Sequence, residues 1–271
     1  MGSDKLIRLW SRVYAEFLMP SRLSIHRDLL HEVLARGYEI CSVASFWDKI
    51  KSGQLQPDRK YFVLRHDVDT DVTAARSMWA IEQVLGVTSS YYFRLSTIDI
   101  PLMQEIERSG GEASYHFEEL AAMAKEMRLK SRADVLPKIP EMRERFKSNL
   151  NSLRDRSGLP MKTVASHGDF VNRKLRMPNW EILADELFRQ KVGVELEVYD
   201  EAFNRHISSR HADAGYHPNL WKPENPLKAL ESGAAAIHVL VHPGNWRANP
   251  KENLVNDINR ALEGLRFAVT R

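Results

Sequence analysis

The sequence has almost no sulfur chemistry to offer. Cys41 is the single cysteine among 271 residues. An internal disulfide and a cysteine-based zinc site are both excluded. No apolar run approaches the length that spans a bilayer. The opening stretch MGSDKLIRLWSRVYAEFLMP scatters charges where a secretory signal needs an apolar centre, so a cytoplasmic location is the expectation. Charge of one sign is equally scarce. The 39 Lys and Arg against 36 Asp and Glu leave +3, too little to argue for a nucleic-acid partner. The chain also lacks a GxSxG elbow for a serine nucleophile and a Gly-rich loop that would cradle phosphate. It has no internal repeat, low-complexity tract or clear linker. Hydrophobic residues at 43% and charged residues at 28% are ordinary for a globular chain with a sizeable core. One large α/β domain can reach this length, so residues 1–271 are expected to form a single domain.

What is present is an alternation. Short β-branched or aromatic runs fall at 38–43, 61–66, 89–95, 112–117, 162–167, 192–198, 205–210 and 235–242, often with Gly or Pro close by. Helix-length stretches separate them. In one, Ala74, Met78, Ile81 and Leu85 share a face and Gly86 is placed to end the helix. Strand–helix alternation along the whole chain predicts a parallel sheet. The number of units favours an α/β fold of the (β/α) barrel kind, with about seven parallel strands. Residues 118–158 break the rhythm and read as one or two extra helices on the outside, the charges of MRERFK facing solvent. Trp10, Tyr14 and Phe17 stand at helical spacing and are expected to pack within the chain.

The ionisable residues gather at strand ends. In VLRHDVDTD, residues 63–71, an apolar run leads into one Arg, one His and three Asp. Side chains alternate along a strand, which puts Asp67 and Asp69 on one face and His66 and Val68 on the other. Neighbouring carboxylates resist ionising together unless a cation lies between them. A metal ion resolves this, as does a division of labour in which one carboxylate binds metal and the other stays free as a base. Further ligand types end other strands: His116 with Glu118 and Glu119, His167 with Asp169, His211 with Asp213, and His242, with His238 deeper on the same face. If the strands are parallel, these ends converge on one rim, where barrels of this kind keep their active sites. Aspartate and histidine together suit zinc or a similar divalent ion. The long spacing means a site assembled by the fold. His26 and His31 lie in a helical pattern and read as structural.

The motifs LRHDVD, GGEASYHFEE, VASHGDF and VLVHPGNW resemble, in order and spacing, those of the polysaccharide deacetylase superfamily. That superfamily is also called the NodB-homology proteins or carbohydrate esterase family four. The likeness runs from about Tyr38 to the last helix and is nearest to the deacetylase-like proteins of O-antigen and other surface-polysaccharide biosynthesis. It implies a distorted (β/α) barrel and one divalent metal ion, zinc by preference. By the resemblance Asp67 is the general base and Asp69 a metal ligand, although Val68 separates two residues that are adjacent in the family, leaving the roles open to exchange. His116 matches the first of two metal-binding histidines spaced four apart. Leu120 occupies the second position and cannot ligate. His167, with Glu119 behind it, is the substitute. His242 matches the general acid, and Arg65 or Arg210 the arginine that orients the catalytic carboxylate. Trp246 is placed either to stack on a sugar ring or to cover the barrel end.

Removing an N-acyl group needs an attacking water, an electrophile for the developing oxyanion and an acid for the leaving amine. The metal, Asp67 and His242 fill those posts. The expected activity is thus a metal-dependent carbohydrate N-deacetylase. Its expected substrate is a nucleotide- or lipid-linked amino sugar. Leu120 motivates the alternative, a non-catalytic glycan-binding or assembly protein. A barrel amidohydrolase ranks last, because its paired HxH on the first strand is absent.

Overall fold

The computed structural model describes residues 10–213 and 220–268. Nine strands make one sheet: β1 (Glu39–Cys41), β2 (Tyr61–Val68), β3 (Ser90–Phe93), β4 (Glu112–Phe117), β5 (Thr163–Ser166), β6 (Leu196–Glu197), β7 (Ser209–Asp213), β8 (Trp221–Lys222) and β9 (Ala236–Val241). Their order is β6-β5-β4-β3-β2-β9-β7-β8, with β1 beside the first half of β2. Every pairing is parallel except β7 with β8. The sheet curls without closing, β6 and β8 lying at its two ends. This is a distorted (β/α) barrel.

All eight expected strands form, one displaced and one much shortened. The run at 205–210 becomes β7 at Ser209–Asp213, because Arg205 and His206 are used in the turn that ends the helix Glu201–Asn204. The run at 192–198 shortens to β6, because its first residues close the helix Glu186–Val192, which ends at Gly193 with φ +66°. The antiparallel β8 was not foreseen; its two residues carry no periodicity to read. Gly86, also at φ +66°, ends the helix Val72–Leu85 as expected.

β2 explains the layering. Buried along all eight residues, it faces two different cores. Tyr61 and Val63 pack inside the curl with Phe46, Tyr92, Ala165 and Phe203. Phe62 and Leu64 pack outward with Leu30, Met78, Val239 and Trp246. The same alternation carries Arg65 and Asp67 inward and His66 outward.

The 118–158 segment holds the helices Glu119–Glu126 and Ile139–Ser157, joined by a short turn of helix at Arg132–Val135. In MRERFK, Met142 and Phe146 are buried while Glu144 is exposed, so the helical phase holds. The expectation for the N-terminal aromatics fails for two of the three: Trp10 is 64% and Tyr14 48% exposed, while Phe17 is half-buried. The π-helical turn Tyr14–Leu18 instead faces the chain with Glu16. Its Glu16 carbonyl accepts from Asn253 Nδ2 at 2.7 Å, and Arg12 pairs with Asp257, which ties the segment to the last helix, Pro250–Ala268. Among the described residues no helix is long and apolar enough to cross a membrane.

Candidate metal centre and active site

The C-terminal ends of β2, β4, β5, β7 and β9 meet beside a cavity of about 270 Å³, lined by Asp67, Asp69, Asp213 and His242 and walled by Glu16, Asn256 and Arg260. β4 ends with His116 buried, and its Nδ1 lies 2.9 Å from the Ala165 carbonyl of β5. That bond leaves Nε2 facing Asp69 Oδ1 at 3.2 Å and Asp67 Oδ2 at 3.4 Å. His167 follows β5 directly, and its backbone N–H donates to Phe117 O at 2.8 Å, which sets the two loops in register. Its Nε2 stands 3.6 Å from Asp69 Oδ1. The two imidazoles are nearly perpendicular, with centroids 5.2 Å apart.

Asp69, His116 and His167 each offer one ligand atom within 4.8 Å of the others. Asp69 Oδ1 is buried with no hydrogen-bond partner. A buried carboxylate oxygen left without a donor is costly, and here it points between two imidazole nitrogens. Two neutral imidazoles and a carboxylate are the donor set zinc prefers at an open, catalytic position. The three residues therefore fit the divalent ion that the motifs imply. Burial opposes the charge on Asp69, but His167 and His116 outweigh it and hold the carboxyl well below its usual range.

Asp67 is held differently. Arg65 Nε donates to Oδ1 and Nη2 to Oδ2, both at 2.8 Å, a two-pronged pair with both side chains almost wholly buried. Burial again opposes ionisation, and the guanidinium prevails, lowering the Asp67 pKa. Of the two candidate arginines, Arg65 is the one on Asp67; Arg210 is exposed.

His242 follows β9. Asp213, at the end of β7, accepts from its Nδ1 at 2.6 Å and from its backbone N–H at 2.9 Å. Nε2 then faces the cavity, 3.9 Å from Asp69 Oδ2. Burial disfavours the imidazolium, but Asp213 behind the ring and Asp69 and Asp67 in front raise its pKa to about 10. Asp213 was visible as a strand-end acid, but nothing in the sequence paired it with His242.

Four readings of the sequence are corrected. Glu119 is not behind His167. It is the first residue of its helix and points into the core, where Tyr115 and Asn149 donate to it. Glu118, just before the helix, is the acid beside His167, its Oε2 3.3 Å from Nδ1. Trp246 does not stack on a ligand: it is fully buried and donates Nε1–H to Asp213 Oδ2 at 2.8 Å. Asp169 caps the next helix, accepting from Val171 N at 2.7 Å, and pairs with Lys125. His211 is occupied by Glu224 O and Ser209 Oγ, both at 2.8 Å. Leu120 is fully buried in the outer core that also holds Phe117 and Val171, so its position cannot present a ligand. His238 lies deeper inside the curl, where burial and the nearby Arg65 and Arg210 push its pKa down to about 3.

His26, read as structural, belongs to a second group of the same composition. Its Nε2 lies 3.0 Å from Glu82 Oε1, and His66 Nε2 lies 2.7 Å from the same oxygen. All three side chains are buried. Sequence spacing gave no sign of it, because the residues come from two helices and the outward face of β2.

No family model matches the chain, and no curated protein matches its sequence. Among solved structures it is similar to the Streptococcus pyogenes deacetylase PplD in complex with acetate: 10% identity, 94% of this chain and 92% of that chain covered, TM-score 0.45. It is also similar to the Xyl-CE4 domain of a multidomain xylanase from the hindgut metagenome of Trinervitermes trinervoides: 15% identity, 76% and 83% covered, TM-score 0.34. Likenesses this distant leave the chemistry to be argued from the site itself.

Proposed function

We propose that this protein is a metal-dependent hydrolase that removes the N-acetyl group from an amino sugar during bacterial surface-polysaccharide (O-antigen) biosynthesis. The observation that carries the reading is one rim on which Asp69, His116 and His167 converge around an unpartnered carboxylate oxygen, with Asp67 and His242 on either side. Asp69, His116 and His167 would hold zinc or a similar divalent ion. Such an ion, when bound, lowers the pKa of water and polarises the amide carbonyl.

The chain's own residues do the rest. Asp67, kept ionised and fixed by Arg65, accepts the proton of the attacking water. His242, kept protonated by Asp213, donates from Nε2 to the departing amine nitrogen. Trp246 and the His242 backbone hold Asp213 still, so the ring keeps one orientation. The cavity of about 270 Å³ suits one sugar ring with its acyl group more than a polymer strand. We extend the reading to a nucleotide- or lipid-linked amino sugar, handled in the cytoplasm by residues 1–271 acting as one domain.

The test is acetate release from UDP-linked and prenyl-linked acetamido sugars by protein loaded with zinc or cobalt. Asp67→Asn, which keeps shape and loses the base, should cut turnover by about 10²–10⁴ without changing bound metal. Turnover unchanged in Asp67→Asn would remove the base assignment. A metal-loaded wild type inert on every acetamido sugar would favour the non-catalytic glycan-binding reading that Leu120 motivates.

A further inference from the structure

In the resembled family two metal-binding histidines share one turn of chain and fix each other. Here Leu120 breaks that arrangement, and the three candidate ligands come from three separate segments: Asp69 after β2, His116 near the end of β4 and His167 after β5. Their relative placement depends on ties between these segments. His116 has such a tie in the Ala165 carbonyl. Two further residues, outside the ligand set and outside the acid–base pair, supply the others.

Arg94 follows β3 at the start of the 3-10 turn Leu95–Thr97. Its guanidinium takes both oxygens of Glu118: Nη2 to Oε1 and Oε2 at 2.8 Å each, and Nε to Oε1 at 3.2 Å. Nη1 of the same group reaches the backbone carbonyl of Asp69 at 3.4 Å. Thr97, three residues on, donates to the Val68 carbonyl at 2.6 Å. The turn after β3 therefore grips the end of β2 at two successive carbonyls, just where Asp69 is presented. Glu118, once held, has Oε2 3.3 Å from His167 Nδ1. With both oxygens engaged by Arg94, Glu118 is committed to holding rather than ligating. A carboxylate beside the far nitrogen is the partner that fixes a ligating imidazole's tautomer and raises its basicity; Glu118 stands at that place, although Nδ1 completes no hydrogen bond to it in this structure.

We propose that Arg94 and Glu118 form a single brace that positions two of the three ligands: Arg94 holds the Asp69 backbone, and Glu118 orients His167 so that Nε2 faces the metal. The inference rests on the metal-site reading above. Both are positioning residues. Neither lines the cavity beside the site.

The test measures affinity for Zn²⁺ by competition with a chromogenic chelator, and the visible absorption of the Co²⁺-loaded protein. Wild type, Glu118→Gln and Arg94→Gln are compared, with His167→Ala as reference and unfolding of the metal-free proteins as a control. The brace predicts metal affinity about 10- to 100-fold weaker in Glu118→Gln and Arg94→Gln, the size typical of losing a group that orients a ligand. It also predicts a changed cobalt spectrum and metal-free unfolding midpoints close to wild type. Wild-type affinity and spectrum in Glu118→Gln would overturn the brace and leave the metal site standing. If Glu118→Gln does not fold, Arg94→Gln decides by the same two readouts. A wild type that takes up neither ion would overturn the metal site, and the brace with it.

Discussion

Two groups in this molecule share one composition, two histidines and a carboxylate, and differ in everything that decides what such a group can do. Around Glu82 every carboxylate oxygen is satisfied. Oε1 meets both imidazoles, and Oε2 accepts from Ser89 Oγ at 2.6 Å and Tyr91 OH at 3.0 Å. The Nδ1 atoms of His26 and His66 are buried with no partner. If Nε2 bound a metal, each Nδ1 would carry a hydrogen with nowhere to donate it, whereas ligating histidines almost always donate that hydrogen to an acceptor. With Nε2–H donating to Glu82, each Nδ1 is merely an idle acceptor, which costs less. Around Asp69 the carboxylate is the unsatisfied group. Oδ1 lacks a donor and His116 Nδ1 meets Ala165 O, while His167 Nδ1, itself without a hydrogen bond, has the Glu118 carboxylate 3.3 Å away. The first group is a closed hydrogen-bond node that joins the helices Leu23–Ala35 and Val72–Leu85 to β2. The second is an open cradle. Residue type does not separate the two; what does is whether the carboxylate oxygen between the imidazoles is already used, as Glu82 Oε1 is and Asp69 Oδ1 is not.

The largest effect that would break this comparison is on stability. Glu82→Ala strands two imidazoles and two hydroxyls in the core and should cost about 3–5 kcal/mol, lowering the thermal midpoint by on the order of 10 °C. His167→Ala in the metal-free protein removes a side chain whose Nδ1 faces Glu118 at 3.3 Å without completing a hydrogen bond, and should change stability by about 1 kcal/mol or less. Calorimetry on both checks this, and equal losses would erase the distinction.

Acid should act next. Burial opposes charge on Glu82, but His66 and His26 prevail and hold its pKa far below 4.5. Burial, against the pull of Glu82, lowers the pKa of His26 below 6.5. Both folded values lie below the unfolded ones, so the unfolded chain binds more protons as pH falls. The contribution of this group to stability is full above about pH 6.5, declines below it as unfolded His26 charges, and falls further below about pH 4.5 as unfolded Glu82 protonates. Urea unfolding across pH 3–8 should give that profile, with the limb below pH 4.5 reduced in Glu82→Gln. An identical limb in the variant would mean that Glu82 is not what acid attacks.

The smallest effect sharpens the account of saturation. Tyr91→Phe deletes one of four donors to Glu82 and leaves the ring stacked on His66 at 4.2 Å. It should cost about 1–2 kcal/mol in urea unfolding. A neutral result would mean the node is not fully used.

Much of this was legible in sequence, for a physical reason. Strand alternation fixes which residues share a face, so Asp67 and Asp69 could be separated from His66 without coordinates. Parallel topology sends the strand ends to one rim, which brought His116, His167 and His242 together. What could not be read depends on the phase of an element against its neighbours. Glu118 and Glu119 are adjacent and chemically alike; the point at which the helix begins turns one toward His167 and the other toward Tyr115. His26 looked like an ordinary helix residue because its partners lie 40 and 56 positions away. Trp246 looked like a rim aromatic until Asp213 claimed its N–H.

The most direct measurement is metal content per chain by elemental analysis, after zinc loading and gel filtration, for wild type and four single variants. The account predicts near one zinc in wild type, His26→Ala and His66→Ala, and near none in His116→Ala and His167→Ala. Zinc lost from the His26 and His66 variants but kept in the other two, or no zinc in wild type, would contradict it.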